Sequence, residues 1–229
     1  MYDYLTLGAA TKKYAAKEFP SPSKVWSTLN KREKAIFDAQ MLDKNSATYK
    51  AVIAGRMAHN TLEHDDAKKD RFQTALLETY KREIGVDIDE TWAKEMGVVS
   101  TKYRYRGKFD GVGVFRGRET VWDYKKTNKI KTPSGVKKYL KQCSAYAIAH
   151  NEMYGSKIDQ IAIFNIGGKT IDEISTRVFT YDLDGDHREE WLNDVQRYWN
   201  ESHATLPGLY YAKVHGAIRV LRNLLSRTR

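Results

Sequence analysis

The stretch VVSTKYRYRGKFDGVGVFRGRETVWDYK, residues 98–125, decides the fold. It is rich in β-branched and aromatic residues, and Arg106-Gly107 and Arg116-Gly117-Arg118 punctuate it as tight turns. It reads as three short strands, 98–105, 108–115 and 119–125, in an antiparallel meander.

Outward from it the periodicity changes. A helix over 134–154 carries Val136, Leu140, Cys143 and Ala147 on one stripe, with Gly155 as its C-cap. Strands at 160–166 and 175–181 follow, joined around Gly167-Gly168, and then helices at 186–202 and 208–227. Upstream, 31–42 and 45–84 have helical spacing, and Ser23 is placed to cap a short helix through Val25 and Trp26. The expected fold is α/β: a mixed central sheet flanked by helices, with N-terminal and C-terminal helical additions. One domain is expected, with a helical part at 1–90, a sheet core at 91–182 and closing helices at 183–229.

Composition bounds the function. Hydrophobic residues are 41% and aromatic residues 12% of the 229, enough for a packed core and against disorder. No apolar run approaches the roughly 20 residues that span a bilayer, and the first ten residues are too polar for a signal peptide. A soluble, cytoplasmic protein with no membrane association is expected. The excess of 39 basic over 29 acidic residues suits a polyanionic partner, although a basic protein need not bind nucleic acid. A single cysteine, Cys143, excludes an iron–sulfur cluster ligated within one chain.

Two aspartates interrupt residues 98–125. Asp110 falls in the second expected strand and Asp123 in the third, although aspartate is depleted in strands. In Asp123-x-Lys125 the period of two puts both side chains on one face. Such carboxylates can hold one or two hard divalent cations, with the Tyr124 main-chain carbonyl as a further ligand. A bound cation lowers the pKa of its water, and Lys125 would orient that water or neutralise developing charge. A strand-end salt bridge between Asp123 and Lys125 or Lys126 would explain the same residues.

On the upstream helix Gly55, His59 and Glu63 share a face by four-residue spacing. His59 could add a nitrogen ligand, which suits Mn²⁺ better than Mg²⁺; a surface histidine beside Glu63 is the plainer alternative. Gln142 and Tyr146 form a Q-x-x-x-Y pair beside the apolar stripe of the 134–154 helix, able to bond a phosphate, a metal-bound water or Lys125, or simply to pack. Glu95, ahead of the first expected strand, is a lesser candidate. For phosphate contact, Arg104 and Arg106 precede Asp110, while Lys126, Lys129, Lys131 and Lys138 follow Lys125. Alternation would place Lys102, Arg104 and Arg106 on one face and Tyr103 and Tyr105 on the other, where the tyrosines read as core ahead of base-stacking rings. The basic amphipathic segment 208–227 could clamp DNA, bind a partner or dock on the core.

Taken in order, Gly55/His59, Asp110, Asp123/Lys125 and Gln142/Tyr146 resemble the RecB-like branch of the PD-(D/E)xK nuclease superfamily. The likeness spans about residues 19–166, begins at Phe19-Pro20-Ser21, and within the branch is nearest to mitochondrial genome maintenance exonucleases and related phage exonucleases. It implies a restriction-endonuclease-like core and a Mg²⁺- or Mn²⁺-dependent DNA exonuclease preferring single-stranded ends. A helicase, polymerase or recombinase partner and a phage or bacterial source also follow from it. Alternatives on the same core are a structure-specific or restriction-type endonuclease and a non-catalytic DNA-binding accessory.

Overall fold

The computed structural model describes residues 19–67 and 70–203. The chain runs through helices α1 (Pro22–Leu29), α2 (Lys31–Leu42), α3 (Ala47–His64) and α4 (Arg71–Glu83), then strands β1 (Ile88–Lys94), β2 (Gly97–Ser100), β3 (Tyr105–Lys108), β4 (Gly111–Phe115) and β5 (Arg118–Thr127). Helix α5 (Pro133–Tyr154) leads to β6 (Gln160–Gly167) and β7 (Ser175–Asp182), and α6 (Asp186–His203) follows. The main sheet has the order β1-β4-β5-β6-β7. Only β5 and β6 are parallel, joined through α5, and the other neighbours are antiparallel. This is the mixed, helix-flanked α/β sheet that the sequence predicts.

Every residue of β6 is buried, because helices cover both faces of the sheet there. On one face Val121, Ile161 and Ile163 pack with Val136, Leu140 and Ala147 of α5, Trp191 and Val195 of α6, and Val25 of α1. On the other, Trp122, Tyr124 and Phe164 meet Ala58 and Leu62 of α3 and Leu76 and Leu77 of α4. Helix α5 starts where Thr132 accepts a hydrogen bond from Gly135 N and Pro133 occupies the first turn; it stops at Gly155, in the left-handed region at φ 66°. The β4–β5 turn runs through Arg116 and Gly117, both at positive φ.

Five local expectations change. The single helix over 45–84 is two: Asp65 takes a left-handed φ of 56° at the end of α3 and Asp70 caps α4 through Gln73 N. The apolar period runs on across that break, so spacing alone joins them. Ser21, not Ser23, caps α1, with Pro22 in its first turn. Strand β1 adds to the expected elements; as a half-exposed edge strand its sequence has no apolar alternation. The strand over 98–105 is instead part of a separate two-stranded sheet. Its turn is tied down by Glu152, which accepts hydrogen bonds from Thr101 N, Lys102 N and the Ser100 hydroxyl. The alternation that put Lys102, Arg104 and Arg106 on one face therefore does not exist, and Tyr105 is core, donating to Ala145 O at 2.8 Å. Finally, Asp110 sits in the bend before β4 rather than within a strand. The segment 208–227 lies outside the described residues. Among the described residues no helix is long and apolar enough to cross a membrane.

Candidate metal centre

The site forms where β5 outruns β4. Pairing of the two strands starts at Gly111 opposite Trp122, so Asp123 to Thr127 have no β4 partner. Tyr124 N, which a longer β4 would have satisfied, donates instead to Asp110 Oδ2 at 2.7 Å. Gly111 allows this approach, since a Cβ there would lie 2.2 Å from the Trp122 ring. Asp110 is thus a side-chain continuation of the sheet, and the same Oδ2 faces His59.

Three elements converge on it. From α3, His59 brings Nδ1 to 3.6 Å from Asp110 Oδ2 and Nε2 to 2.8 Å from Glu95 Oε1, with Glu63 Oε2 at 3.8 Å from Nε2. From the end of β1, Glu95 adopts a left-handed φ of 54° while its N–H donates to Asp110 O. A non-glycine residue rarely takes this conformation, and here it turns a carboxylate into the cluster. From β5, Asp123 and Lys125 point to the same face and form an ion pair. One ligand atom from each of His59, Glu95 and Asp110 lies within 4.8 Å of the other two. One imidazole and two carboxylates could hold a divalent metal ion.

The carboxylates of the cluster are each paired: Glu95 Oε1 lies 2.8 Å from His59 Nε2, and Asp123 Oδ2 touches the Lys125 ammonium. Electrostatics show how much negative charge is gathered here. Burial, with the nearby Asp123 charge, pushes the Asp110 carboxyl up to about 8 against the opposing pull of Lys125 and His59. His59 is raised above its ordinary value, first by its contact with Glu95 and against the effect of burial, with Asp110 adding to the rise. Burial pulls Lys125 down, but Asp123 and Asp110 outweigh it and hold the ammonium charged. Proton uptake relieves the crowding of negative charge in this cluster, as a bound cation could.

Gln142 and Tyr146 sit one layer away. Gln142 Nε2 donates to the Tyr146 hydroxyl at 2.7 Å, and burial, then the Asp123 charge, holds that phenol protonated. Gly107 makes room: a Cβ there would meet Tyr146 Cε1 at 2.3 Å. Tyr124 is buried, its hydroxyl shared with Tyr80 and Trp122 Nε1.

The expected phosphate contacts divide. Lys131 and Lys138 lie with Lys125 around the Tyr139 ring, at 5.7, 5.0 and 5.0 Å from its centre. Lys129 is exposed, its carbonyl accepting from the Thr127 hydroxyl at 2.7 Å. Arg104, at φ 59°, stacks on Trp199. Arg106 donates to Phe19 O, and Lys126 is engaged by the carbonyls of Thr127 and Gly168 on the far side of β5. These three serve internal contacts. A groove of about 860 Å³ between α1, α5 and α6 is lined by Trp26, Lys137, Lys138, Tyr139 and Gln142, and so abuts Lys125 and Tyr146. Sequence reasoning underweighted Glu95 and missed Lys108, whose ammonium contacts Glu95 Oε2; an acidic residue between two strand patterns is no local signal of either role.

No family model matches the chain, and no curated protein matches it. Among solved structures, the chain is similar to the "Putative exonuclease" from Eubacterium rectale, with 15% identity over 94% of this chain and 86% of that one, at a TM-score of 0.49.

Proposed function

We propose that this chain is a divalent-metal-dependent nuclease that hydrolyses DNA phosphodiester bonds. The convergence of His59, Glu95 and Asp110 beside the Asp123–Lys125 pair carries the reading. A structural ion pair alone needs no third carboxylate turned inward by a left-handed φ.

His59, Glu95, Asp110 and Asp123 would hold Mg²⁺ or Mn²⁺, with the Tyr124 carbonyl as a further oxygen and Glu63 behind His59. The bound ion supplies a nucleophilic water near neutral pH and neutralises charge on the phosphoryl oxygens. Lys125, kept charged by the aspartates, orients the attacking water and stabilises the charge that builds as the new P–O bond forms and the leaving oxygen departs. Tyr146 and Gln142 hold a neutral hydrogen-bonding edge beside Asp123, while Lys131, Lys138 and Lys129 draw the backbone phosphates towards Lys125.

Within nucleases we favour an exonuclease on single-stranded ends, in keeping with the RecB-like resemblance. The groove beside Tyr139 supports it: exposed Trp26 and the Tyr139 ring among lysines suit stacked, unpaired bases. End-labelled single strands, duplexes and circles, incubated with Mg²⁺, Mn²⁺ or EDTA, test this for the wild type, Asp123→Ala and Lys125→Ala. Metal-dependent loss of linear single strands, with circles intact and both variants inert, is expected. Binding without cleavage under every metal condition would refute the enzyme, and cutting of circles would replace the exonuclease by an endonuclease.

A further inference from the structure

Lys108 contacts the cluster, although neither the motifs nor the proposed chemistry uses it. It ends β3, directly opposite Gly97 in the small hairpin, and Phe109 N bonds Met96 O immediately beyond. This pairing brings Lys108 alongside Glu95, and its ammonium contacts Glu95 Oε2 while His59 faces Oε1. The two partners differ in setting. The Glu95 side chain is 12% exposed, whereas that of Lys108 is 57% exposed. A lysine on the rim thus neutralises a carboxylate that faces inward. Glu63 and Asp110 add to the negative field at the ammonium.

From this we infer that Lys108 is an exchangeable counter-ion: it balances Glu95 in the metal-free protein, is released when a divalent cation takes Glu95, and then binds a non-bridging oxygen of the incoming phosphodiester. The inference rests on the metal-centre reading above. A dication shared by His59, Glu95 and Asp110 takes over the charge that held Lys108 and repels the ammonium as a like charge. The exposed four-carbon stem lets the ammonium swing away without disturbing packing. A phosphate drawn to the cation is the anion then within its reach. Lys108 would therefore compete with the metal yet assist the substrate.

Calorimetric titration of the full chain with Mn²⁺, without nucleic acid, separates these roles from catalysis. Lys108→Gln is expected to bind Mn²⁺ about three- to fivefold more tightly than wild type, the effect of removing one partly screened charge. Lys108→Arg should stay near wild type, and Glu95→Gln should weaken binding and abolish the effect of Lys108→Gln. Fluorescence anisotropy with a labelled single strand, in a Lys125→Ala background that blocks cleavage, reads the second role. Lys108→Gln should lower affinity in saturating Mn²⁺ but not in EDTA. Unchanged or weaker Mn²⁺ binding by Lys108→Gln, or an equal loss of DNA affinity with and without metal, would overturn the inference alone. A wild type that takes up no Mn²⁺ would overturn the metal centre, and this inference with it.

Discussion

Replacing Asp110 by Asn tests the electrostatics of the site without requiring any activity. Asp110 is buried beside Asp123, and its carboxyl is pushed up to about 8, chiefly by burial and then by that neighbour. In the unfolded chain it titrates near 3.9. Between those values the folded metal-free protein keeps a proton that the unfolded chain has lost, so stability falls as pH rises through the window and levels off above it. At about 1.4 kcal/mol for each pH unit, the cost accumulated between pH 6 and 9 is about 2.5 kcal/mol, the curve flattening near 8. For a protein of this size that corresponds to a drop in Tm of about 5–10 °C. His59, raised by Glu95, acts in the same direction: its stabilisation is complete below its unfolded pKa and is lost as pH rises through the higher folded value. Asparagine is nearly isosteric with the protonated acid and can still accept from Tyr124 N. Differential scanning fluorimetry in EDTA should therefore give equal Tm values for wild type and Asp110→Asn at pH 6, with the variant more stable at pH 9. Adding Mg²⁺ or Mn²⁺ should flatten the wild-type slope, since a cation favours the ionised carboxylate, and should change the variant's slope less. Parallel Tm curves for the two proteins from pH 6 to 9 would refute the buried, proton-holding carboxyl.

Lys125→Met should cost about 2–3 kcal/mol in urea unfolding, below the range for fully buried pairs because Lys125 is partly exposed; an unchanged midpoint would mean that Asp123 does not depend on it. Gly107→Ala should destabilise the protein by about 1–3 kcal/mol by driving a Cβ into Tyr146, with slower cleavage as Gln142 and Tyr146 shift; thermal melts and end-labelled substrate read both. Arg104→Ala should lose about 0.5–1 kcal/mol of stability from its stacking on Trp199 and leave the salt dependence of DNA binding unchanged. Lys131→Ala and Lys138→Ala should each reduce the slope of log affinity for a single strand against log salt by about 0.7 for every phosphate that the missing ammonium no longer neutralises.

Helix α5 illustrates what could be read directly. Its apolar stripe and Gly155 cap are local, and the structure ends the helix there. The β4–β5 hairpin is equally legible, because Gly117 meets the turn's need for a positive φ. Edge strand β1 is not, since its half-exposed residues show no alternation. The break between α3 and α4 is hidden by a helical period that runs on through it. For Asp110 the sequence points to the correct end of the sheet but to the wrong environment: its strand-like neighbours flank a bend.

What the sequence determined by itself, then, is what one element can place on one face. The two-residue period puts Asp123 beside Lys125, and the four-residue period puts Glu63 beside His59, whatever surrounds them. Only the tertiary structure decided that α3 packs where His59 reaches Asp110, that β4 starts late enough for the Asp110 carboxylate to take the Tyr124 N–H, and that Glu95 turns inward. Those contacts join residues far apart in the chain and depend on helix–sheet packing, strand register and one left-handed backbone angle, none of which has a local signature.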